Sequence, residues 1–236
     1  MNKKTQVCIA AICSLYFTNI EAKDYGYYGS LGIGSSYAKF HDVEGYSSLT
    51  AHTRTDDDDD NALITTLGLG YKWQDLPYRV ELMYRMVDSE KFRDLTVWDS
   101  GYSESTTTTI KQQSLMINGL YDVELEGSDF TPYIGIGIGV TRVTSKGYQY
   151  DMTNESREAQ FDKKIRTKLT GAFMLGTKYD VSDAFKIGIG YQFSYLGKIG
   201  TADNCNGASS LCDGDETHTA KLMTHDFTIQ TYYYFN

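Results

Sequence analysis

The chain alternates a large aliphatic residue with glycine in four separate places. These are Leu31-Gly32-Ile33-Gly34, Leu67-Gly68-Leu69-Gly70, Ile134-Gly135-Ile136-Gly137-Ile138-Gly139 and Ile187-Gly188-Ile189-Gly190. A period of two belongs to a β-strand, so each segment presents aliphatics on one face and bare backbone on the other. Glycine weakens an ordinary strand because it has no side chain to pack and loses the most entropy on ordering. Its repetition on one face makes sense where large side chains from elsewhere crowd that face, as inside a small closed barrel. The opposite face, aliphatic and broken by tyrosines, then meets a second apolar medium, which is lipid.

Alternating and polar segments take turns along the chain. Strands are expected near residues 27–39, 62–73, 78–87, 110–121, 131–144, 166–179, 185–196 and 223–235. The connections between them alternate strictly in length, long loop then short turn. That asymmetry predicts an all-β, eight-stranded antiparallel up-and-down transmembrane barrel with long extracellular loops and short periplasmic turns. Both prolines fit, Pro77 in a turn and Pro132 at the start of a rim strand.

No apolar run is long enough for a helical span. The one continuous apolar stretch, residues 7–17, follows Lys3 and Lys4 and precedes Ala22. It reads as a secretory signal over residues 1–22, leaving a barrel domain over residues 23–236. The exported part then keeps Cys205 and Cys212, which read as one short-loop disulfide in an oxidising compartment. With 22 basic against 31 acidic residues, the chain has no footprint for nucleic acid. Twenty tyrosines against two tryptophans suit a membrane interface.

The period of two assigns faces. Outward go Leu67, Leu69, Tyr71 and Trp73, then Val80, Leu82 and Tyr84, then Leu115, Ile117 and Tyr121. Ile187, Ile189, Tyr191 and Phe193 continue this belt, and Phe227, Ile229, Tyr233 and Phe235 close it. Inward go Lys72, Arg79, Glu81, Arg85 and Asn118, together with Lys178, Lys186, Gln192, Asp226 and Gln230. Charges of both signs in one interior must pair or meet water, because an unpaired buried charge is costly. The expectation is a packed polar plug, with Glu81 between the arginines.

Several segments resemble a known family. Arg79-Val80-Glu81-Leu82-Met83-Tyr84-Arg85 is similar to the third-strand motif of small OmpA-like, opacity-type outer-membrane proteins. Residues 114–122 resemble their fourth strand and Thr131-Pro132-Tyr133-Ile134-Gly135 their fifth. Residues 225–229 and 233–235 resemble their closing strand and its insertion signal. The resemblance implies an outer-membrane location and a final strand read by the barrel-assembly machinery. It also implies a non-enzymatic surface role in envelope structure, with adhesion to a host ligand through the loops.

Other chemistry is sparse. The glycine pairs lack the third spaced glycine and following helix of a dinucleotide loop. Asp56 to Asp60 read as a solvated acidic loop, since an EF-hand needs glycine where Asn61 stands. No cofactor and no metal site is expected. His225-Asp226 is an adjacent histidine and acid, but strand neighbours point to opposite faces, so a catalytic pair is not expected there. Lys163, Lys164, Arg166 and Lys168 form a basic cluster suited to lipopolysaccharide phosphates or another polyanion. Two rival functions remain, a narrow channel and, disfavoured, a lipid A-modifying enzyme.

Overall fold

The aliphatic residues of all four glycine repeats lie on the outside of one closed barrel, exposed, from Leu31 and Ile33 through Ile187 and Ile189. The structure is a computed structural model that describes residues 25–46, 52–53, 58–97, 103–152, 158–202, 205–207 and 217–235. Eight long strands build the wall: β1 (Gly26–Tyr46), β3 (Asp58–Lys72), β4 (Tyr78–Val97), β5 (Ser103–Asp122), β6 (Phe130–Asp151), β8 (Lys164–Asp180), β9 (Phe185–Gly200) and β11 (Thr217–Tyr234). Each pairs antiparallel with its neighbours in sequence, and β1 pairs with β11 to close the ring. Three short strands, β2 (His52–Thr53), β7 (Glu158–Phe161) and β10 (Cys205–Gly207), extend the sheet at the long-loop end.

The lumen glycines do what the repeats implied. A Cβ on Gly70 would strike the Tyr28 ring, and one on Gly68 would strike Ser30 Oγ and the Glu81 carboxylate. The space is occupied by long side chains from neighbouring strands, including Tyr28, Tyr133, Tyr232 and Tyr234, all buried. Tyrosine therefore serves two places here, the membrane interface outside and the lumen inside.

Three sequence expectations change. The first is strand length: β4 runs to Val97 and β5 begins at Ser103, so much of the Ser/Thr-rich segment read as loop is strand. Threonine is β-branched and fits a pleated sheet. In a polar-filled barrel its alternation carries no apolar signal, which is why composition reads it as loop. Twenty residues of β4 extend about 66 Å at about 3.3 Å each. Tilted by about 40°, they rise about 50 Å, against an apolar band of about 25 Å. Roughly half of the wall stands clear of the hydrocarbon by this estimate.

The second change is in the acidic run, of which Asp58 to Asp60 belong to β3. The β3–β4 ladder stops at Ile64↔Val87, beside a bulge in β4 between Val87 and Ser89. Above it the Asp60 and Asp58 carboxylates accept the backbone N–H groups of Lys91 and Arg93, each at 2.7 Å. Side chains replace the missing ladder bonds, since a buried or sheet-edge N–H must find an acceptor.

The third concerns the lumen, which is not polar throughout. Phe40, Phe92, Ile110, Val143, Leu196, Ile199 and Leu222 form an apolar core inside its outer half. The signal segment and Cys212 lie outside the described residues, so the cleavage site and the Cys205–Cys212 pairing do too.

Candidate functional site: a layered lumen and an extracellular rim

Every lumen residue expected from the sequence faces inward, and the strands stack them in layers. The layer at the short-turn end centres on Arg79 and Asp122. Arg79 Nε donates to Asp122 Oδ1 at 3.0 Å, and Lys178 Nζ donates to Asp122 Oδ2 at 2.7 Å. Three tyrosine rings surround the guanidinium, with Tyr133 closest at 4.7 Å and Tyr232 and Tyr28 at 5.5 and 5.7 Å. Such contacts stabilise a desolvated cation by about 2 kcal/mol or more. Lys186 Nζ meets Asp180 at 2.7 Å and Lys72 Nζ meets Glu124 at 3.7 Å, which places the remaining lysines on this rim.

Glu81 is corrected. It lies 4.0 Å from Arg79 and accepts a hydrogen bond from Ser30 Oγ at 3.1 Å, but it does not bridge the two arginines. Their partners come from across the lumen instead. Asp122 is a lumen residue outside that sequence expectation, although it has the same strand parity as Asn118, two steps of the period further along β5.

Asn118, Gln192 and Gln230 occupy the middle with Met83, Met116 and Met174. A void of about 20 Å³ there has room for a single water and no more. Above it Arg85 Nε and Nη2 grip Asp226 Oδ2 and Oδ1 at 2.6 and 2.9 Å, the parallel fork geometry that makes arginine–carboxylate pairs strong. Arg85 also donates to Gln112 and Thr224, both at 3.1 Å. Gln112 and Ser36 in turn donate to the buried Glu90.

The apolar layer follows, with the Phe40 and Phe92 rings 5.0 Å apart inside the lumen. Above it lies a second polar layer, on strand segments whose polar residues carry no apolar alternation. His218 Nδ1 donates to Asp94 Oδ2 at 2.6 Å, and Thr106 Oγ1 stands 3.4 Å from His218 Nε2. The order acid, histidine, hydroxyl is that of a nucleophilic triad. All three are at most 2% exposed, and the Phe161 ring packs on the histidine at 5.4 Å. The arrangement ties β4, β5 and β11 together.

His225 sits on the outer wall, hydrogen-bonded to Tyr191 Oη at 2.7 Å and packed against Tyr37 and Phe193. Its chain neighbour Asp226 is committed to Arg85 inside, so the two never meet on one face.

The basic cluster divides. Lys163 is exposed, but Lys164, Arg166 and Lys168 are half-buried on the lumen side, opposite Ser145, Val143 and Thr141 of β6. This removes them from the lipid-facing wall, because the strand turns alternate residues inward. They line the mouth where the β8–β9 ladder ends at Gly171↔Tyr195. Beyond that point β9 carries Gly197 at φ +73°, and Ser145 Oγ of β6 donates to Gly200 O at 2.7 Å. On the outside, ion pairs ring the same level: Lys221–Asp42 at 2.6 Å, Lys198–Glu44 at 3.0 Å and Lys111–Asp88 at 3.0 Å. The Lys221 ammonium holds the Asp42 carboxyl below its usual range.

A family model described as outer membrane protein beta-barrel domain matches residues 7–235. The chain belongs to that family. Its place is the bacterial outer membrane, where the exposed aliphatic belt meets lipid. Among relatives, it is 25% identical over 218 residues to outer membrane protein PagN of Salmonella typhimurium, covering 86% of this chain and 83% of the relative. In fold, this barrel is similar to Neisserial surface protein A, with a TM-score of 0.52, 15% identity, and coverage of 89% and 97% of the two chains. It is likewise similar to OprG of Pseudomonas aeruginosa, with a TM-score of 0.52, 15% identity, and coverage of 90% and 100%.

Proposed function

We propose that this outer membrane barrel is a non-enzymatic surface protein that raises its extracellular loops on a rigid stalk for contact with a host ligand. The observation that carries the reading is the sealed, layered extension of the wall above the lipid. A pore would need an open lumen, whereas Arg85 and Phe92 of β4 and Phe40 of β1 fill this one in two successive layers. An enzyme would need reachable groups, whereas Asp94, His218 and Thr106 are buried. What such a barrel offers to its surroundings is its loops, and loops on a fixed scaffold are where binding is usually placed.

Within the same reading, lipopolysaccharide surrounds the outer half, with Lys163 and the exposed Lys111, Lys198 and Lys221 at the level of its phosphates. The final strand ending in Tyr233, Tyr234 and Phe235 is the segment offered to the barrel-assembly machinery. The test compares attachment to host cells by bacteria carrying the intact protein and a version with trimmed long loops. Loss of attachment with retained heat-modifiability is the expected result, and equal attachment overturns the reading. Planar-bilayer conductance or an altered lipid A mass would instead favour the channel or the enzyme.

A further inference from the structure

Gly119 faces outward on β5, between the exposed Val80 of β4 and Ile136 of β6, and leaves a gap in the apolar belt. A Cβ placed on Gly119 would meet no atom within 4 Å. The gap is the floor of a groove of about 510 Å³, walled by Trp73, Tyr78, Tyr121, Ile136 and Phe173. That volume lies within the roughly 300–1,000 Å³ of ordinary ligand sites.

The position of the groove names its occupant. It is continuous with the lipid-facing belt, and it lies toward the short-turn end, where the Tyr78 and Tyr121 rings pack edge to face at 5.4 Å. Short turns are periplasmic in such barrels, so the groove opens to the inner leaflet. The rings and the Trp73 indole bring hydroxyl and N–H donors to headgroup level, where amphipathic aromatics settle. Just beyond them the turn after β3 exposes Asp75, while Glu124 lies 3.7 Å from the lumen-side Lys72 Nζ. Turn residues 74–77, 123–129 and 181–184 contain no lysine or arginine. Lys72, Lys178 and Lys186, the cations nearest this end, are buried on the lumen side. An exposed carboxylate rim repels an anionic headgroup and attracts an ammonium.

We propose that the Gly119 groove binds one acyl chain of a zwitterionic, ammonium-bearing phospholipid of the inner leaflet, with Asp75 selecting its headgroup. A flexible hydrocarbon chain fills the gap and restores the dispersion contacts that an empty groove forfeits.

The test is native mass spectrometry of the full chain in mild detergent, titrated with dioleoyl phosphatidylethanolamine or dioleoyl phosphatidylglycerol. Wild type is expected to retain a single phosphatidylethanolamine and to hold phosphatidylglycerol less well. Gly119→Leu fills the floor without a clash, so the bound lipid should be lost while heat-modifiability is kept. Val80→Phe, which narrows one wall, should act in the same direction and carries the test if Gly119→Leu fails to assemble. Asp75→Asn should abolish the preference between headgroups while leaving lipid bound. Retention of the lipid by Gly119→Leu overturns the proposal, as does equal retention of the two phospholipids by wild type. A wild-type dimer that Gly119→Leu dissociates also overturns it, by showing that a second copy occupies the groove.

Discussion

Asp122→Ala is the most demanding test of how the lumen is held together. The carboxylate is buried and is shared by two buried cations, Arg79 at 3.0 Å and Lys178 at 2.7 Å. Removing one member of a buried ion pair costs about 3–5 kcal/mol, because the charge left behind has neither water nor a partner. Here two charges lose a partner. Arg79 keeps its tyrosine rings and the more distant Glu81, while Lys178 loses its ion pair with Asp122. The expected loss is therefore at the upper end, about 5 kcal/mol, a change of nearly four powers of ten in the unfolding equilibrium. The control is Asp88→Ala, which breaks an ion pair with Lys111 whose side chains are 63% and 59% exposed. Solvent screening limits that cost to about 0–1 kcal/mol. Urea unfolding from lipid vesicles, followed by tryptophan fluorescence, measures both. Should Asp122→Ala fail to assemble, Asp122→Asn keeps the shape and one acceptor, and should fall between wild type and alanine. Equal stability of Asp122→Ala and Asp88→Ala would refute the argument that cross-lumen pairing holds this layer.

Glu81→Ala should cost less, about 1–3 kcal/mol, because Glu81 is a hydrogen-bond acceptor and only a distant ion partner. It should leave planar bilayers non-conducting, since the Arg85 and Phe40–Phe92 layers still block the lumen; steady conductance would refute the layered seal. Phe92→Ala should destabilise the folded barrel by about 3–5 kcal/mol in the same urea assay, by opening a cavity in the apolar layer. Gly34→Ala should impair assembly, scored by heat-modifiability, because its Cβ collides with the backbone of Phe227, whereas Gly119→Ala should assemble normally. Exported protein should show no free thiol at Cys205 or Cys212 by mass spectrometry, an amino terminus at Lys23, and unchanged heat-modifiability in Cys205→Ser.

The sequence by itself determined the barrel, its strand order and which face of each strand meets lipid. Those properties are local. A period of two fixes the two faces of Leu67–Gly70 or Ile187–Gly190 without knowledge of any partner, and alternating connection lengths fix an up-and-down path. The same period placed Arg79, Arg85, Lys178 and Asp226 in the lumen. It could not say who pairs with whom, because Arg85 and Asp226 are 141 residues apart and meet only after the ring closes. It also could not see the upper wall. Inside a barrel filled with polar side chains, strands such as the segment from Ser103 to Thr109 lose the contrast between apolar and polar faces that marks a strand elsewhere. Asp94, Thr106 and His218 therefore looked like loop residues. The division of the basic cluster, with Arg166 and Lys168 turned toward the lumen, followed from the register of β8 against β6. The groove at Gly119 likewise exists only because Val80 and Ile136 flank it from other strands. Tertiary structure decided what depends on cross-strand neighbours, because closure brings together side chains that no stretch of sequence holds side by side.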